Sequence, residues 1–186
     1  MLAGPSGVGK GTVGRALRTR EPDLEWSVSA TSRPPRDGEV DGADYHFVSR
    51  DDFEQVRDAG GFLEWFEVYG QLKGTPRAPV EAALAAGRDV LLEIDVQGAL
   101  AVKEQFPDAL LVFLVAPSRE VQEARLRGRG TDNPEQLARR LATARAEEGL
   151  ADRFDAVVVN DDVERAAGEV AAILAARRAG PAPTVP

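Results

Sequence analysis

The stretch Gly4-Pro5-Ser6-Gly7-Val8-Gly9-Lys10 decides the fold of this chain. It fits the pattern G-x-x-x-x-G-K, in which glycines let the backbone curl so that several N–H groups face one anion. Lys10 then reaches the terminal phosphates, and the helix that follows offers its positive N-terminus. A glycine-rich turn with a chance lysine is the plainer alternative. The amphipathic pattern after the motif favours a phosphate-binding loop for a nucleoside triphosphate.

The residue after the loop lysine departs from the usual pattern. A hydroxyl at this position normally ligates Mg²⁺, but this chain has Gly11, with Thr12 one residue later. We therefore expect Mg²⁺ to be held mainly through water and substrate phosphates, with Thr12 contacting phosphate. Only Met1-Leu2-Ala3 precede the loop. Because a strand takes about five residues, we expect a short first strand and a weaker anchor for the loop.

Apolar runs alternate with amphipathic stretches over most of the chain. Strands are predicted at 90–94, 110–115 and 156–159, and a helix follows each of them, at 98–106, 118–127 and 161–178. Ser118 and Asp161 are the predicted N-caps, and a further helix is predicted from residue 134 to about 148. The alternation predicts an α/β fold of the P-loop type, a three-layer αβα arrangement with a central parallel sheet.

The segment 29–78 breaks this alternation. It is rich in turn pairs such as Asp37-Gly38 and Gly60-Gly61, with β-like runs at 45–48 and 62–68. We interpret it as a small β-rich insertion beside the main sheet. The predicted organisation follows from these patterns: core with the phosphate loop at 1–28, insertion at 29–78, core at 79–124, a helical lid at 125–145, core at 146–179 and a disordered tail at 180–186.

Composition narrows the class of protein. With 31 acidic and 23 basic residues the formal net charge is −8, which argues against a general nucleic-acid binder. No apolar run approaches the roughly 18 residues of a membrane span, and no signal peptide is expected, so we predict a cytoplasmic protein without a membrane partner. The chain has no cysteine, which excludes disulfides and cysteine-ligated zinc. Monomer and homodimer both stay open.

Candidate anion ligands cluster in the insertion. Arg33 and Arg36 are three residues apart on a proline-stiffened segment, so their guanidinium groups can converge on one phosphate, and Tyr45 can add a hydroxyl. Glu64 lies in the second β-like run. Its carboxylate can accept from the N1–H and 2-amino groups of guanine, a pair of donors that adenine lacks. Solvated surface charge is the alternative, which the nearby phosphate loop disfavours.

Charged residues also mark the core and the predicted lid. Glu93 and Asp95 close a predicted buried strand at its carboxyl end, where parallel sheets place ligands and where oxygen donors suit Mg²⁺. Helix capping or an ion pair with arginine is the alternative. Arg125 and Arg129 lie in a stretch that ends as a glycine-flanked loop. Arginines on a mobile hairpin can neutralise a moving phosphoryl group, although a basic surface hairpin would have the same composition.

His46 is the only histidine. Its neighbours alternate between apolar and polar, so we predict a place on a strand surface rather than a catalytic role. No general base is required, because phosphoryl transfer depends mainly on positioning and charge stabilisation.

The motifs, taken in order, resemble those of guanylate kinases along nearly the whole chain. The matching stretches are residues 4–12, 29–36, 38–48, 62–65, 74–75, 92–98, 125–131, 139–141 and 159–162. The resemblance implies an enzyme that transfers the γ-phosphoryl of ATP, with Mg²⁺, to GMP, with dGMP as a second candidate acceptor. ADP and GDP would be the products of the reaction with GMP.

The same resemblance assigns roles to individual residues. Residues 4–12 and Asn160 would bind ATP. The residues implied to bind GMP are Ser29, Arg33, Arg36, Tyr45, Glu64, Thr75 and Asp95. The residues implied to be catalytic are Lys10, Arg33, Arg125, Arg129 and Arg140. The metal candidates, Thr12 and Glu93, come instead from the residue patterns described above, and both would hold the ion through water. Lys73 stands where the family usually has a second tyrosine, and it would bind phosphate as a point charge.

Three other interpretations stay open at this point. The sequence Lys10-Gly11-Thr12 is similar to that of the corresponding residues in adenylate kinases, so the acceptor could be AMP or CMP. Glu64 and Thr75 favour guanine instead. Guanylate kinase-like domains of scaffold proteins bind phosphorylated peptides, but they generally lack a working phosphate loop. A chain with so short a first strand could also be inactive.

Overall fold

The fold is described from a computed structural model, which covers residues 1–68, 70–128 and 134–180, with backbone alone at 68 and 134. The predicted tail from residue 181 and the predicted lid residues 129–133 lie outside the described residues. The chain divides into two compact units. One contains residues 1–22 and the described residues from 93 onward, and the other contains residues 23–92.

Nine strands and seven α-helices occur in the described ranges. The strands are β1 (Leu2–Ala3), β2 (Glu25–Trp26), β3 (Ala30–Thr31), β4 (His46–Phe47), β5 (Phe62–Val68), β6 (Gln71–Pro76), β7 (Val90–Leu91), β8 (Val112–Val115) and β9 (Ala156–Val159). The helices are α1 (Lys10–Arg20), α2 (Arg50–Asp58), α3 (Arg77–Ala85), α4 (Val96–Gln105), α5 (Arg119–Arg127), α6 (Pro134–Glu148) and α7 (Val163–Ala179).

The first unit is built on a parallel sheet. Its order is β1-β8-β9, with every pair parallel, and an isolated parallel bridge joins Leu2 to Glu93. Leu2 and Ala3 are fully buried, so the short strand ahead of the phosphate loop lies inside the core. Helices α1 and α4 contact β1, and α7 contacts both α1 and β9. A mostly parallel sheet with helices packed on it confirms the predicted α/β fold.

The second unit contains two smaller sheets. Strands β2 and β7 form a parallel pair, and a four-stranded sheet has the order β4-β3-β6-β5. Phe53 of α2 and Phe62 of β5 stack in its core with ring centroids 4.3 Å apart. The four-stranded sheet lies within the predicted β-rich insertion. The predicted domain boundaries themselves stay a prediction. His46 is exposed on β4, which confirms its predicted place on a strand surface.

Helix starts agree with the sequence in part. Ser118 caps α5 as predicted, with its Oγ 3.3 Å from the N–H nitrogen of Val121. The other predicted cap is wrong by one residue, because α7 begins at Val163 and its N-cap is therefore Asp162. Asp161 instead accepts from the guanidinium of Arg165.

The segment around Asp95 also differs from the prediction. The strand predicted at 90–94 is regular only over β7, and α4 begins at Val96 rather than at residue 98. The reason is that Asp95 caps α4, with Oδ1 accepting from the N–H of Gly98 at 2.7 Å. No helix in the described residues has both the length and the hydropathy of a membrane span.

Candidate active site

The phosphate-binding loop connects β1 to α1, and its curl depends on glycine. Gly4 and Gly9 have φ values of 152° and 92°, in the region that side chains with a Cβ rarely adopt. A Cβ at Gly4 would also overlap the carbonyl oxygen of Leu114 in β8, and a Cβ at Gly9 would overlap the side-chain amide of Asn160. The loop is thus packed closely against the carboxyl end of the sheet.

Lys10 begins α1 and folds back over this loop. Its Nζ donates to the carbonyl oxygens of Gly4 and Pro5 at 2.5 and 3.2 Å. Gly9 is the N-cap and supplies no side-chain bond to the first turn. The N-terminus of α1, with its partial positive charge, therefore lies beside the lysine ammonium, which is the arrangement that binds a phosphate group.

Side chains from α5 and from the end of β9 contact the loop from outside. Asn160, which is predicted to bind ATP, is buried and donates from Nδ2 to the carbonyl oxygen of Val8 at 2.7 Å. Arg125, a predicted catalytic residue, donates to the same oxygen at 3.3 Å and to the carbonyl oxygen of Asn160 at 3.0 Å. Gln122 donates to the carbonyl oxygen of Ser6 at 2.9 Å. Sequence analysis missed Gln122, since a glutamine on an amphipathic helix has no distinguishing signal.

The carboxylate of Glu93 lies at the start of α1. A Cβ at Gly11 would be 3.4 Å from Glu93 Oε1 and 3.7 Å from Arg15 Nη1. Thr12 is exposed on the same helix. Among the described residues, no group of three His, Cys, Asp or Glu side chains could cage a metal ion. One carboxylate and one exposed hydroxyl fit an ion that keeps most of its water, as Mg²⁺ does.

Glu147, near the end of α6, is a half-buried carboxyl group that sequence analysis did not single out. Burial raises its pKa to about 7, the charge of Lys10 opposes the rise, and the charge of Asp95 adds to it. A carboxyl group with a raised pKa therefore lies within electrostatic range of the loop lysine.

Glu147 should make folding stability depend on pH. Its folded-state pKa of about 7 lies above the ordinary value of 4.5, so the folded chain keeps a proton that the unfolded chain releases. This contribution is full below about pH 4.5 and is lost as the pH rises through about 7. Discounting for partial exposure, we expect Glu147→Gln to raise the free energy of unfolding at pH 8 by about 1–2 kcal/mol.

Urea unfolding of this variant at pH 5 and pH 8 checks the prediction. The matched control is Glu148→Gln, because Glu148 is the neighbouring residue and carries the same carboxyl group. Its Oε2 lies 3.9 Å from Nη2 of Arg119. The control should keep the wild-type pH slope. If Glu147→Gln keeps that slope as well, Glu147 is not the titrating group.

In the second unit, Glu64 and Thr75 form a buried polar pair. They lie opposite each other on β5 and β6, and Thr75 Oγ1 donates to Glu64 Oε1 at 2.5 Å. Their exposures are only 9% and 1%, and Ser29 is also buried. Burying a carboxylate is costly unless hydrogen bonds compensate it. This pair is therefore held in place by the sheet and by its mutual bond.

Arg33 is fixed by a bidentate ion pair. Its two terminal nitrogens lie 2.6 Å from the two carboxylate oxygens of Glu39, and Glu39 also accepts from the N–H of Arg36 at 2.8 Å. The bond to Glu39 raises the pKa of Arg33, and the same bond lowers the pKa of Glu39. Sequence analysis gave Glu39 no role. A bidentate pair of this kind sets both the place and the orientation of the guanidinium plane.

Two cationic side chains lie close to the ring of Tyr45. The guanidinium carbon of Arg33 is 5.0 Å from the centre of its ring, and Nζ of Lys73 is 5.2 Å from the same point. Both distances fall within the range of a cation–π contact. Lys73 stands where guanylate kinases usually have a second tyrosine. It thus brings a positive charge close to Tyr45, whose hydroxyl is predicted to bind phosphate.

The remaining predicted residues are less closely grouped. Arg36 is exposed, and Arg140 is half-buried on α6. Asp95 is the N-cap of α4, which agrees with the capping alternative and leaves its GMP-binding role a prediction. Arg129 lies outside the described residues. The structure thus groups Lys10, Arg125 and Asn160 within the first unit, and it groups Arg33 with Tyr45 and pairs Glu64 with Thr75 within the second.

Comparison with known proteins assigns this chain to a family. A family model described as guanylate kinase matches residues 1–177. The guanylate kinase of Rhodococcus jostii is 53% identical over 179 residues, which cover 95% of this chain and 86% of that protein. The guanylate kinase of Gloeobacter violaceus is 56% identical over 174 residues, covering 94% and 85%.

A solved structure agrees with the sequence relatives. The crystal structure of guanylate kinase from Anaplasma phagocytophilum superposes with a TM-score of 0.77 at 32% identity, covering 97% of this chain and 86% of that one. The resemblance inferred from the motifs and the predicted P-loop fold are both confirmed. The chain belongs to the guanylate kinase family.

Proposed function

We propose that this chain transfers the γ-phosphoryl of ATP to GMP, giving ADP and GDP. The observation that carries the proposal is the buried Glu64–Thr75 pair, because it offers fixed acceptors to a base that presents two adjacent donors. Guanine is such a base. Membership of the guanylate kinase family and the names of the relatives support the same reaction.

The donor side is the phosphate loop. Lys10 and the N-terminus of α1 would hold the β- and γ-phosphates, since both present positive charge at the same place. Glu93, with Thr12 through water, would hold Mg²⁺, which neutralises charge on these phosphates when it is bound. The loop residues would complete the ATP site, and Asn160 would support the loop through its bond to the Val8 carbonyl.

The acceptor side is the group of residues in the second unit. Arg33, Arg36, Tyr45 and Lys73 would bind the phosphate of GMP, with Arg33 held ready by Glu39. A phosphate oxygen of GMP is already anionic, so it attacks the γ-phosphorus without a general base. The new O–P bond forms as the bond to the β-phosphate breaks, and the electron pair leaves with ADP.

The arginines of the predicted lid would neutralise the moving group. Arg125 is the best placed of them, because its guanidinium already contacts the loop carbonyl of Val8. We assign the same role to Arg140 and to Arg129. Use of dGMP, a cytoplasmic location and a monomeric or homodimeric state stay predictions.

Adding a hydroxyl at Gly11 should improve metal use. A Cβ there meets Glu93 Oε1 only at 3.4 Å, and the position is helical, so Gly11→Ser fits without strain. We expect the Mg²⁺ concentration for half-maximal activity to fall about threefold, because one more oxygen would face the ion. Gly11→Ala is the matched control, since it adds the Cβ alone and should leave the Mg²⁺ requirement unchanged. Equal Mg²⁺ curves for both variants would contradict the placement of the metal.

A panel of monophosphates tests the proposed function. Turnover with Mg·ATP would be measured by ADP release with GMP, dGMP, AMP, CMP and UMP as acceptors. We expect GMP to have the highest kcat/KM, by about 10²-fold or more over AMP, because a site built to pair with donors rejects a base that lacks them. A preference for AMP would overturn the proposed acceptor. No turnover with any acceptor would overturn the proposal of an enzyme.

A further inference from the structure

The carbonyl oxygens of the phosphate loop are bonded to side chains along most of its length. Nζ of Lys10 bonds the carbonyls of Gly4 and Pro5, and Gln122 bonds that of Ser6. The carbonyl of Val8 accepts from Asn160 at 2.7 Å and, at the longer distance of 3.3 Å, from Arg125. A loop that turns its N–H groups toward an anion turns carbonyls the other way. Buried carbonyls need donors, so the partners of these oxygens decide which way the loop peptides face.

Gln122 and Asn160 make these bonds from inside the first unit rather than from solvent. Their exposures are 3% and 2%, so both amides have been removed from water. Apolar side chains of similar size would avoid the cost of burying an amide. Among the described residues, Oδ1 of Asn160 has no hydrogen-bond partner. The hydrogen bond from Asn160 Nδ2 to the Val8 carbonyl is thus the main interaction that offsets the free-energy cost of burying this amide.

The side chain of Gln122 and the backbone of Asn160 are both held close to the loop by packing and hydrogen bonding. A Cβ at Gly7 would meet the Cγ of Gln122 at 3.2 Å and the Cγ of Leu126 at 2.8 Å. The backbone N–H of Asn160 donates to Val115 at the end of β8 at 2.8 Å, which anchors this residue to the sheet. The loop therefore packs directly against α5 and against Asn160, the residue that follows β9.

We propose that Gln122 and Asn160 are positioning residues of the phosphate loop, which hold the Ser6–Val8 peptides in the orientation that binds the triphosphate. Neither residue needs to touch ATP. The inference rests on the proposed function, because it assumes that ATP binds at this loop. It gives Asn160 a role different from that of a direct nucleotide ligand, and it adds Gln122 to the residues on which the donor site depends.

The test is the affinity for ATP of Gln122→Met, which keeps the side-chain length and removes the donor. Calorimetry with Mg·ATP alone and with GMP alone gives the two dissociation constants separately. We expect the constant for ATP to rise about five- to tenfold, the worth of one hydrogen bond, while the constant for GMP is unchanged. Asn160→Asp should have a larger effect, because a carboxylate oxygen would face the Val8 carbonyl. Gln105→Met, which changes an exposed glutamine of α4, is the matched control and should match the wild type.

Each outcome decides between positioning and a purely structural role. A lower melting temperature with unchanged affinity for ATP would overturn the inference, as would an equal loss for ATP and GMP. If Gln122→Met does not fold, Gln122→Leu and Asn160→Ala repeat the comparison, and retained GMP binding identifies a folded variant. Failure of the proposed function itself would be seen first, as a wild-type chain that binds no Mg·ATP.

Discussion

Lys10→Met is expected to reduce kcat by about 10³-fold, the effect of removing one fixed charge from a site where transition-state charge develops. Methionine keeps the length of the side chain but carries no charge. It also cannot make the two bonds by which Nζ of Lys10 joins the carbonyls of Gly4 and Pro5. The γ-phosphate would lose its cation, while Gln122 and Asn160 would still hold the carbonyls of Ser6 and Val8. Steady-state ADP release with GMP as acceptor measures the change.

The chain offers a matched control for this variant. Lys103, on α4, bonds the carbonyl of Ala109 at 2.5 Å and lies 3.4 Å from Asp155. Lys103→Met therefore removes the same charge and a similar pair of contacts away from the loop. We expect it to lower the free energy of unfolding by about 1 kcal/mol and to keep wild-type kcat. A kcat for Lys10→Met above about a tenth of the wild-type value would contradict the role of Lys10.

The parts of the fold that follow from local pattern could be predicted from the sequence. The phosphate loop, β5 and β9 lie where the glycine spacing and the apolar runs place them, because these signals are contained in a few adjacent residues. The residue at which a helix begins is harder to predict from the sequence. The shift of the α7 cap from Asp161 to Asp162 shows that two adjacent acids give the same signal, and the structure alone decides between them.

The residues that support the site could not be predicted in the same way. Gln122 and Glu147 act on residues that are distant in the chain, such as Ser6 for Gln122. Glu39 lies close to Arg33 in the chain, but its residue type alone does not show that it pairs with that arginine. The high pKa of Glu147 arises from burial, which no single stretch of sequence reports. Motifs identify the groups that face substrate, whereas the groups that hold them become visible only when the chain is folded.

Glu64→Gln is expected to lower kcat/KM for GMP by about 10²- to 10³-fold, because a donor would face the donors of guanine. The oxygen of the new side-chain amide can still accept from Thr75, so the bond that joins β5 to β6 survives. The other oxygen of the carboxylate is replaced by an NH₂ group, which cannot accept from the base. The KM for ATP should stay unchanged, since the donor loop belongs to the other unit.

Inosine monophosphate separates a lost base contact from general damage. It has the N1–H of GMP but lacks the 2-amino group, so the wild type should prefer GMP, and Glu64→Gln should reduce that preference to about twofold or less. Glu67→Gln is the control on the same strand, because Glu67 is exposed and pairs with Arg50 at 3.2 Å. It should keep the wild-type preference. If Glu64→Gln keeps the wild-type ratio between GMP and inosine monophosphate, then Glu64 does not contact the base. The buried Glu64–Thr75 pair would then only join two strands, and base selection would have to come from another part of the second unit.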